Sequence, residues 1–287
     1  MGGVEVQYHV RMRDLDLIRS VSETVSGYLE LGNETIDADG ARFVRNHAMP
    51  RRYDANHVSR ITCAEPEAID RAIARADDEY ADLPYRRFDT DPLTPPAFIA
   101  RLVLDGYAPS HELKLVLQGE LHAEPKACDI REVAGEAAWH AYEEMQVLDF
   151  AETCERQGRA FDASLMPQFT AFRRAKAPDV RAWLAHVDGE PVAYFSSWPG
   201  TNGVGMVEDL FTRKEFRHRG IATALVAHCV ADARDRGAGP VVIGADPTDT
   251  PMHMYAAMGF RPLMLTSNFF KTVAEPSVMR TILSTTA

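Results

Sequence analysis

The sequence predicts an α/β protein in which helices cover a mixed β-sheet and the chain has two related halves. The first observation is the element order of the last third, where a hairpin is followed by strand, helix, strand, helix and strand. The second is the length of 287 residues, which suggests two domains at roughly 100–200 residues each. The third is a pattern of turn residues that occurs in both halves. Together they favour a tandem of two α/β units.

The first half alternates strand-like and helix-like segments. Strands are predicted at residues 40–44, 57–63, 85–90 and 112–118, and amphipathic helices at residues 66–83 and 95–105. A boundary between the halves is expected near residues 119–126. We therefore predict one domain over residues 1–122 and a second over residues 123–287.

The second half gives clearer signals. One or two helices are predicted over residues 134–156, and the polar segment 155–172, with Gly158 and Pro167, is predicted to be a loop over a site. Strands are predicted at residues 180–187, 191–198, 204–212, 241–245 and 261–270, and helices at residues 221–236 and 251–258. Asp249 or Thr250 is the predicted cap of the last helix.

The repeated pattern joins a turn to a helix and a strand. In the first half, Asp91-Pro92 precedes a helix that ends at Gly106-Tyr107. In the second half, Asp246-Pro247 precedes a helix that ends at Gly259-Phe260. The pattern favours a duplicated unit, and chance similarity of two helix-to-strand turns is the alternative.

Composition and charge exclude several classes of protein. The chain carries 42 acidic and 31 basic residues, a net charge of −11, which opposes binding to nucleic acid or to an anionic membrane. No run of about 18 apolar residues predicts a membrane span, and the N-terminus has no signal-peptide core. The four cysteines show no zinc-type spacing. We expect a cytoplasmic protein without a metal, and the sequence leaves its oligomeric state open.

A local cluster of positive charge stands out against this acidic background. Residues 213–220 contain four cationic side chains and one acidic one, between a predicted strand and a predicted helix. Gly220 lets a ligand approach the backbone closely, and the first amides of the following helix have no intrahelical acceptor. These features favour a site for a phosphate or pyrophosphate group, with an exposed basic turn as the alternative.

Two motifs in register carry a family resemblance. Arg217-x-x-Gly220-x-Ala222 follows one predicted strand, and Tyr255-x-x-x-Gly-Phe follows the next. With the predicted order of elements, residues 126–273 resemble the GNAT superfamily of acyltransferases. The resemblance implies the GNAT acyl-CoA N-acyltransferase fold. The first half has a possible counterpart of the second motif but no Arg-x-x-Gly-x-Gly/Ala loop, so it resembles at most a degenerate GNAT-like unit that shapes the substrate cleft.

The resemblance implies an N-acetyltransferase that uses acetyl-CoA, or another acyl-CoA, as co-substrate. It implies that main-chain amides hold the pyrophosphate along the segment Arg217, His218, Arg219, Gly220, Ile221, Ala222 and Thr223. The main chain of Leu210, Phe211 and Thr212 would pair with the pantetheine arm.

Acyl transfer to an amine also needs a base and an acid for the thiolate. By resemblance, Glu208 is the first candidate for the base, with Asp209 next, and Tyr255 is the acid. Since neighbouring residues of a strand face opposite ways, we expect only one of the two carboxylates to reach the site directly. The alternative for Glu208 is a solvated or salt-bridged carboxylate on a strand. The alternative for Tyr255 is a helix aromatic that packs on the sheet.

These expectations favour transfer of an acetyl group to a primary amine of a small molecule in a ternary complex. The alternatives are transfer of a bulkier acyl group, transfer to a hydroxyl group, and a non-catalytic acyl-CoA sensor or scaffold. A polar cluster that includes Asp54, Asn56 and His57 is predicted to stabilise turns of the backbone rather than to line an acceptor pocket.

Overall fold

The computed structural model describes residues 12–248 and 251–273, and the predicted cap residues Asp249 and Thr250 lie outside them. The described residues form one eleven-stranded mixed sheet flanked by α-helices. The strands are β1 (Glu34–Ala38), β2 (Ala41–Arg45), β3 (His57–Ser59), β4 (Tyr85–Thr90), β5 (Ala108–Leu117), β6 (Asp129–Glu132), β7 (Arg181–Val187), β8 (Glu190–Trp198), β9 (Gly205–Thr212), β10 (Val241–Ala245) and β11 (Arg261–Thr272). The α-helices are α1 (Met12–Glu30), α2 (Pro66–Glu79), α3 (Pro96–Leu104), α4 (Glu136–Arg156), α5 (Met166–Arg174), α6 (Ile221–Asp235) and α7 (Pro251–Ala257).

The α/β fold class is confirmed, and the second half follows its predicted elements closely. From β7 to β11, every predicted strand and helix forms with bounds within two residues of those predicted. The prediction of a loop over residues 155–172 is wrong, because that segment holds the end of α4, a 3₁₀ turn and most of α5. Pro167 lies in the first turn of α5, where its missing N–H costs no hydrogen bond.

Besides α5, three elements of the structure had no counterpart in the predictions: α1, β1 and β6. Helix α1 is the important omission, because it covers part of the cavity described below. Leu17, Val21, Val25 and Tyr28 lie at helical spacing along one side of α1 and pack on the sheet. This periodicity was a usable signal for the helix.

The order of strands in the sheet is nearly the same when read from either edge. It runs β1-β2-β3-β4-β11-β5-β10-β9-β8-β7-β6. Among the described strands, the parallel pairs are β3 with β4 and β9 with β10, and they occupy equivalent places on the two sides of the central strands. The echoed Asp-Pro segments precede α3 and α7, which lie between equivalent strands. The sheet therefore has a pseudo-twofold arrangement about its centre.

The two central strands are exchanged between the halves of the chain. Strand β5, from the first half, pairs antiparallel with β10 at Val241↔Leu117 through Ala245↔Leu113. Strand β11, from the second half, pairs antiparallel with β4 at Ser267↔Thr90 through Thr272↔Tyr85. Because each half completes its sheet with a strand of the other, a break in the sequence near residue 122 does not correspond to a break in the sheet.

Helices cover both faces of the second half's sheet. Val241 and Ile243 of β10 pack in the same core as α6, whereas Val242 packs with α1 on the opposite face, as strand alternation requires. Helix α4 packs on the second face against β7, β8 and β9. No helix in the described residues is long and apolar enough to cross a bilayer.

The strand exchange predicts that the halves unfold together. Phe269 of β11 is 4% exposed in the first half's core, and we expect Phe269→Ala to lower the free energy of unfolding by about 3–5 kcal/mol. The matched control is Leu265→Ala on the same strand, 51% exposed, which should change it by within about 0.5 kcal/mol. Denaturant unfolding followed by hydrogen exchange in both halves would measure this. Two separate transitions in the F269A protein would contradict a shared sheet.

Candidate active site

Strands β9 and β10 pair at their start and then part. Their parallel pairing covers Val241↔Gly205 through Ile243↔Val207, whereas β9 continues to Thr212 in pairing with β8. One edge of residues 208–212 is therefore left beside an opening between the strands. The backbone N–H and C=O groups along this edge can pair with an extended ligand, as a further strand would.

A β-bulge lies at the opening. Tyr194 pairs with Phe211 and Ser196 with Glu208, so Asp209 and Leu210 of β9 face one residue of β8. Asp209 has a φ of 68°, in the left-handed region that few residues other than glycine adopt. The expectation that only one of Glu208 and Asp209 reaches the site is wrong, because the bulge interrupts the alternation and both line the same two cavities.

These two cavities meet at Glu208 and Asp209. The α1 cavity, about 220 Å³, is lined by residues of α1, α5 and both halves of the sheet, among them Tyr28, Arg60 and Lys114. The α7 groove, about 170 Å³, is lined by Glu208, Asp209 and Leu210 of β9, residues 243–245 of β10, and Tyr255 of α7. Two ligands, one in each cavity, would therefore both be next to the same pair of carboxylates.

Glu208 has the electrostatic character of a proton acceptor. Its Oε2 atom is buried without a hydrogen-bond partner among the described residues. Burial raises the pKa of Glu208 to about 8; the Lys114 ammonium opposes this rise, and the carboxylates of Glu112 and Asp209 add to it. A carboxyl with a pKa near neutrality can both take and release a proton at physiological pH.

Asp209, in contrast, is held in a closed network. Its Oδ1 accepts a hydrogen bond from Arg173 Nη2 at 2.5 Å, and its Oδ2 accepts one from the Tyr28 hydroxyl at 3.4 Å. Arg173 Nη1 also donates to the Tyr28 hydroxyl at 2.9 Å. Lys176 Nζ donates to the Tyr28 carbonyl at 2.7 Å, which ties α1 to α5 beneath the carboxylate. Both carboxylate oxygens of Asp209 therefore accept hydrogen bonds, whereas Glu208 Oε2 has no partner among the described residues.

Strand β5 adds an ion pair beside Glu208. Lys114 is 2% exposed, and its Nζ lies 2.7 Å from Glu112 Oε2. Burial disfavours the charge of Lys114, but the carboxylates of Glu112 and Glu208 outweigh it and raise the pKa of Lys114 above its usual value. A Cβ at Gly244 would lie 1.7 Å from Glu112 Oε1, so a larger residue at position 244 would force the Glu112 carboxylate to move. Sequence reasoning missed both residues, since only the strand exchange brings them here.

Tyr255 lies across the α7 groove from β9. The side chain is 4% exposed, and its ring packs near Phe260 with the centroids 6.1 Å apart. It lines the same groove as Glu208 and Leu210. The predicted candidates from β9 and from α7 are thus brought together at one opening in the sheet.

The basic segment forms the predicted turn before a helix. Gly220 precedes α6 with a φ of 84°, and the first intrahelical hydrogen bond runs from Ala224 N to Gly220 O at 3.0 Å. The amides of Ile221, Ala222 and Thr223 precede that bond and lie at the positive end of the helix dipole. A Cβ at Gly220 would be 3.4 Å from Lys126 Cδ, so a further cation, missed by sequence reasoning, lies beside this turn.

The side chains of the basic segment have structural partners. Arg217 Nη2 donates to both carboxylate oxygens of Glu152 of α4, at 2.7 and 2.8 Å, and Arg217 Nε donates to Thr212 O. Arg219 donates to Glu215 O at 2.8 Å, and His218 has a φ of 60°. Arg217 therefore fixes the turn against α4, and its backbone N–H donates to Lys214 O at 3.3 Å within the turn.

Two residues of the polar cluster predicted in the first half have different roles: Asn56 stabilises a turn, whereas Asp54 lines the α1 cavity. The Asn56 side chain accepts a hydrogen bond from Asn46 N and donates to the carbonyls of Met49 and Arg52. It therefore stabilises the turn, as predicted. Asp54 instead lines the α1 cavity, where the guanidiniums of Arg52 and Arg87 outweigh its burial and hold its pKa well below its usual range.

Comparison with known proteins agrees with this geometry. The acetyltransferase (GNAT) family model matches residues 136–260. No curated protein matches the chain. A functionally unknown conserved protein from Staphylococcus epidermidis is similar over 88% of this chain and 99% of its own, with a TM-score of 0.67 and 16% identity.

Two further solved structures have the same fold. A GCN5-related N-acetyltransferase from Kribbella flavida has a TM-score of 0.66 at 16% identity, covering 91% of this chain and 98% of its own. A tandem GNAT protein from the clavulanic acid biosynthesis pathway has a TM-score of 0.57 at 16% identity, covering 82% and 79%. The chain therefore has the fold of these GNAT proteins, and the acetyltransferase (GNAT) family model matches its residues 136–260.

Proposed function

We propose that the protein transfers an acetyl group from acetyl-CoA to a primary amine of a small molecule, directly and within a ternary complex. The observation that carries the proposal is the meeting of the α7 groove and the α1 cavity at Glu208 and Asp209. The donor thioester would lie in the α7 groove and the amine in the α1 cavity. Acyl transfer requires such a geometry, with two reactants on either side of one base.

The residues present fit an acyl-CoA donor. The amides of Gly220, Ile221, Ala222 and Thr223 would hold the pyrophosphate at the start of α6, and Lys126 adds positive charge there. The open edge of Leu210, Phe211 and Thr212 would pair with the amides of the pantetheine arm. When bound, acetyl-CoA supplies an activated acetyl carbonyl.

The α1 cavity favours a small acceptor. Its volume of about 220 Å³ is below the roughly 300–1,000 Å³ of pockets for drug-sized ligands. The cavity lies under α1 and between the two halves of the sheet, so a folded protein does not fit. A compact polar amine does.

Glu208 acts as the general base. An ammonium has no lone pair, so Glu208 Oε2 takes its proton, and the amine nitrogen then bonds to the carbonyl carbon while the C–S bond breaks. A backbone amide at the bulge of Asp209 and Leu210 would stabilise the oxyanion that develops on the carbonyl oxygen. Tyr255 donates its hydroxyl proton to the leaving thiolate, and the second proton that the nitrogen loses as the amide forms restores the Tyr255 hydroxyl, directly or through water. Asp209 accepts hydrogen bonds from Arg173 and Tyr28 and so holds the backbone next to Glu208 in position.

We further propose that residues 123–287 form the catalytic unit and that residues 1–122 form a degenerate GNAT-like unit that shapes the acceptor site. Helix α2 connects the parallel strands β3 and β4, as α6 connects the parallel strands β9 and β10. Unlike α6, however, α2 begins with Pro66 and Glu67 and follows Glu65. A proline removes an amide donor, and the two carboxylates oppose an anion. The start of α2 therefore cannot hold a pyrophosphate as the start of α6 can.

Glu208→Gln tests the reaction itself. We expect kcat to fall by about 10²–10⁴-fold because the amide cannot accept the proton, while affinity for acetyl-CoA is unchanged. Thiol release over a panel of amines measures turnover, and calorimetry measures binding. Glu190→Gln on the neighbouring strand, 70% exposed, is the matched control. Acetyl-CoA binding without turnover of any amine by the unmodified protein would overturn the proposal in favour of a sensor.

Gly220→Val tests the donor site. At a φ of 84° the valine is strained, and its bulk covers the amides at the start of α6, so we expect at least a tenfold weaker affinity for acetyl-CoA. Gly237→Val at the other end of α6 is the control, because Gly237 also has a positive φ, of 103°, but lies beside open space. Equal losses of affinity in the two variants would count against the site.

The ion pair of β5 predicts opposite shifts of the pH profile. Lys114→Met removes a cation that lowers the pKa of Glu208, so the rising limb of kcat against pH should move to higher pH. Glu112→Gln removes a carboxylate that raises this pKa, so the limb should move to lower pH. Ionisation of the acceptor is common to both profiles and cancels in the comparison. Shifts of the same sign would contradict this electrostatic account.

A further inference from the structure

We infer that the acceptor is a small amine that also carries an anionic group such as a carboxylate, bound with its amine at Glu208 and its anion at Arg60. This inference rests on the proposed function and adds the chemical class of the acceptor. It comes from the charges and backbone of the α1 cavity, which both halves of the chain line.

Arg60 and Asp209 occupy equivalent places in the two halves. In the first half, Val58 of β3 pairs in parallel with Phe88 of β4. In the second half, Val207 of β9 pairs in parallel with Ile243 of β10. Both pairings end there, and Arg60 and Asp209 each follow two residues later. Asp209 flanks the base at the opening of its strands, so Arg60 marks the corresponding opening of the first half.

Both residues have the same unusual backbone. Arg60 has a φ of 48° and Asp209 a φ of 68°. Such a conformation costs on the order of 1–3 kcal/mol in a residue with a side chain, and it persists where the surroundings impose it, often at ligand sites. Asp39 and Asp188 share it in hairpin turns, where it is common. Arg60 and Asp209 instead lie beside strand openings and line one cavity.

Arg60 is a fixed cation with an accessible side chain. Its Nε donates to Glu30 Oε1 at 2.6 Å and its Nη2 to Glu30 Oε2 at 3.2 Å, which fixes the guanidinium beneath α1. Glu30 also accepts from Arg42 at 2.9 Å, so its charge is divided between two guanidiniums. The Arg60 side chain remains 31% exposed. An anion can therefore reach a guanidinium that is already oriented.

The remaining lining suits a ligand with charge at both ends. Five cationic side chains line the cavity, and the others are deeply buried in ion pairs: Arg52, Arg87, Lys114 and Arg173. Apolar lining is confined to Val25, Leu29, Phe172 and Met206. A plain alkylamine would replace water at Glu208 but would supply no hydrogen-bond partner at Arg60, so displacing water from that guanidinium would cost free energy. An amine with an anionic group replaces water at Glu208 and at Arg60.

The experiment pairs changes in the ligand with changes in the protein. Acceptors are α- and ω-amino acids, each with its own primary amide, which has the same size and no negative charge. For the unmodified protein we expect kcat/KM to favour the acid over the amide by at least tenfold. In Arg60→Gln this ratio should fall at least tenfold, mainly through KM for the acid, with KM for acetyl-CoA unchanged.

Two further variants separate ligand binding from folding. Arg42 also contacts Glu30 but does not line the cavity. Arg42→Gln should therefore keep the preference for the acid. Arg60→Gly removes the cation while relieving the backbone, so it should lose the preference without a lower melting temperature.

The outcomes distinguish this inference from the proposed function. Turnover of amides or alkylamines equal to that of amino acids, or an acid preference that survives in R60Q, overturns the zwitterionic acceptor and leaves acetyl transfer intact. Absence of turnover with every amine, despite acetyl-CoA binding, overturns both. A loss of the preference in R60Q that Arg42→Gln reproduces also counts against a role of Arg60 in binding the anion.

Discussion

The parting of β9 from β10 is the constraint on which the candidate site depends. While the two strands remain paired, up to Val207 and Ile243, their backbone groups satisfy one another. Beyond that point β9 keeps β8 on one side and has an opening on the other, and the bulge at Asp209 turns the strand within this opening. A backbone edge for a donor, a buried carboxylate and a meeting point of two cavities all follow from this single departure from regular pairing.

The exchange of β5 and β11 makes this site a property of the whole chain. The Glu112–Lys114 pair beside Glu208 comes from the first half, and so do Tyr28 of α1 and Arg60, which follows β3; both line the α1 cavity. Conversely, Phe269 of the second half completes the first half's core. The first half therefore depends on the second for its core, and the candidate site depends on charged groups of the first half.

Local signals explain why the second half could be predicted from the sequence and the site only in part. The apolar run of β10, the Asp188-Gly189 hairpin and the glycine before α6 each act within a few residues, so their elements form where predicted. The bulge has no local signal, because an aspartate tolerates a positive φ without requiring one. The ion pair of Glu112 with Lys114 is adjacent in sequence, but its place beside Glu208 depends on strands more than ninety residues apart. Helix α1 differs: its periodicity was present and its many charges obscured it.

The pseudo-twofold arrangement connects the acceptor site to the duplication of the fold. Two openings between parallel strands face one cavity, with Asp209 at one and Arg60 at the other, and only one opening is followed by a helix whose start can hold a pyrophosphate. With Glu65, Pro66 and Glu67 at the start of α2, the first opening no longer suits an anionic cofactor tail, yet its backbone is kept. Arg60 and Asp209 share a positive φ but carry opposite charges, so one end of the cavity is positive and the other is negative. A duplicated donor fold can in this way supply both the donor site and the orientation of the acceptor.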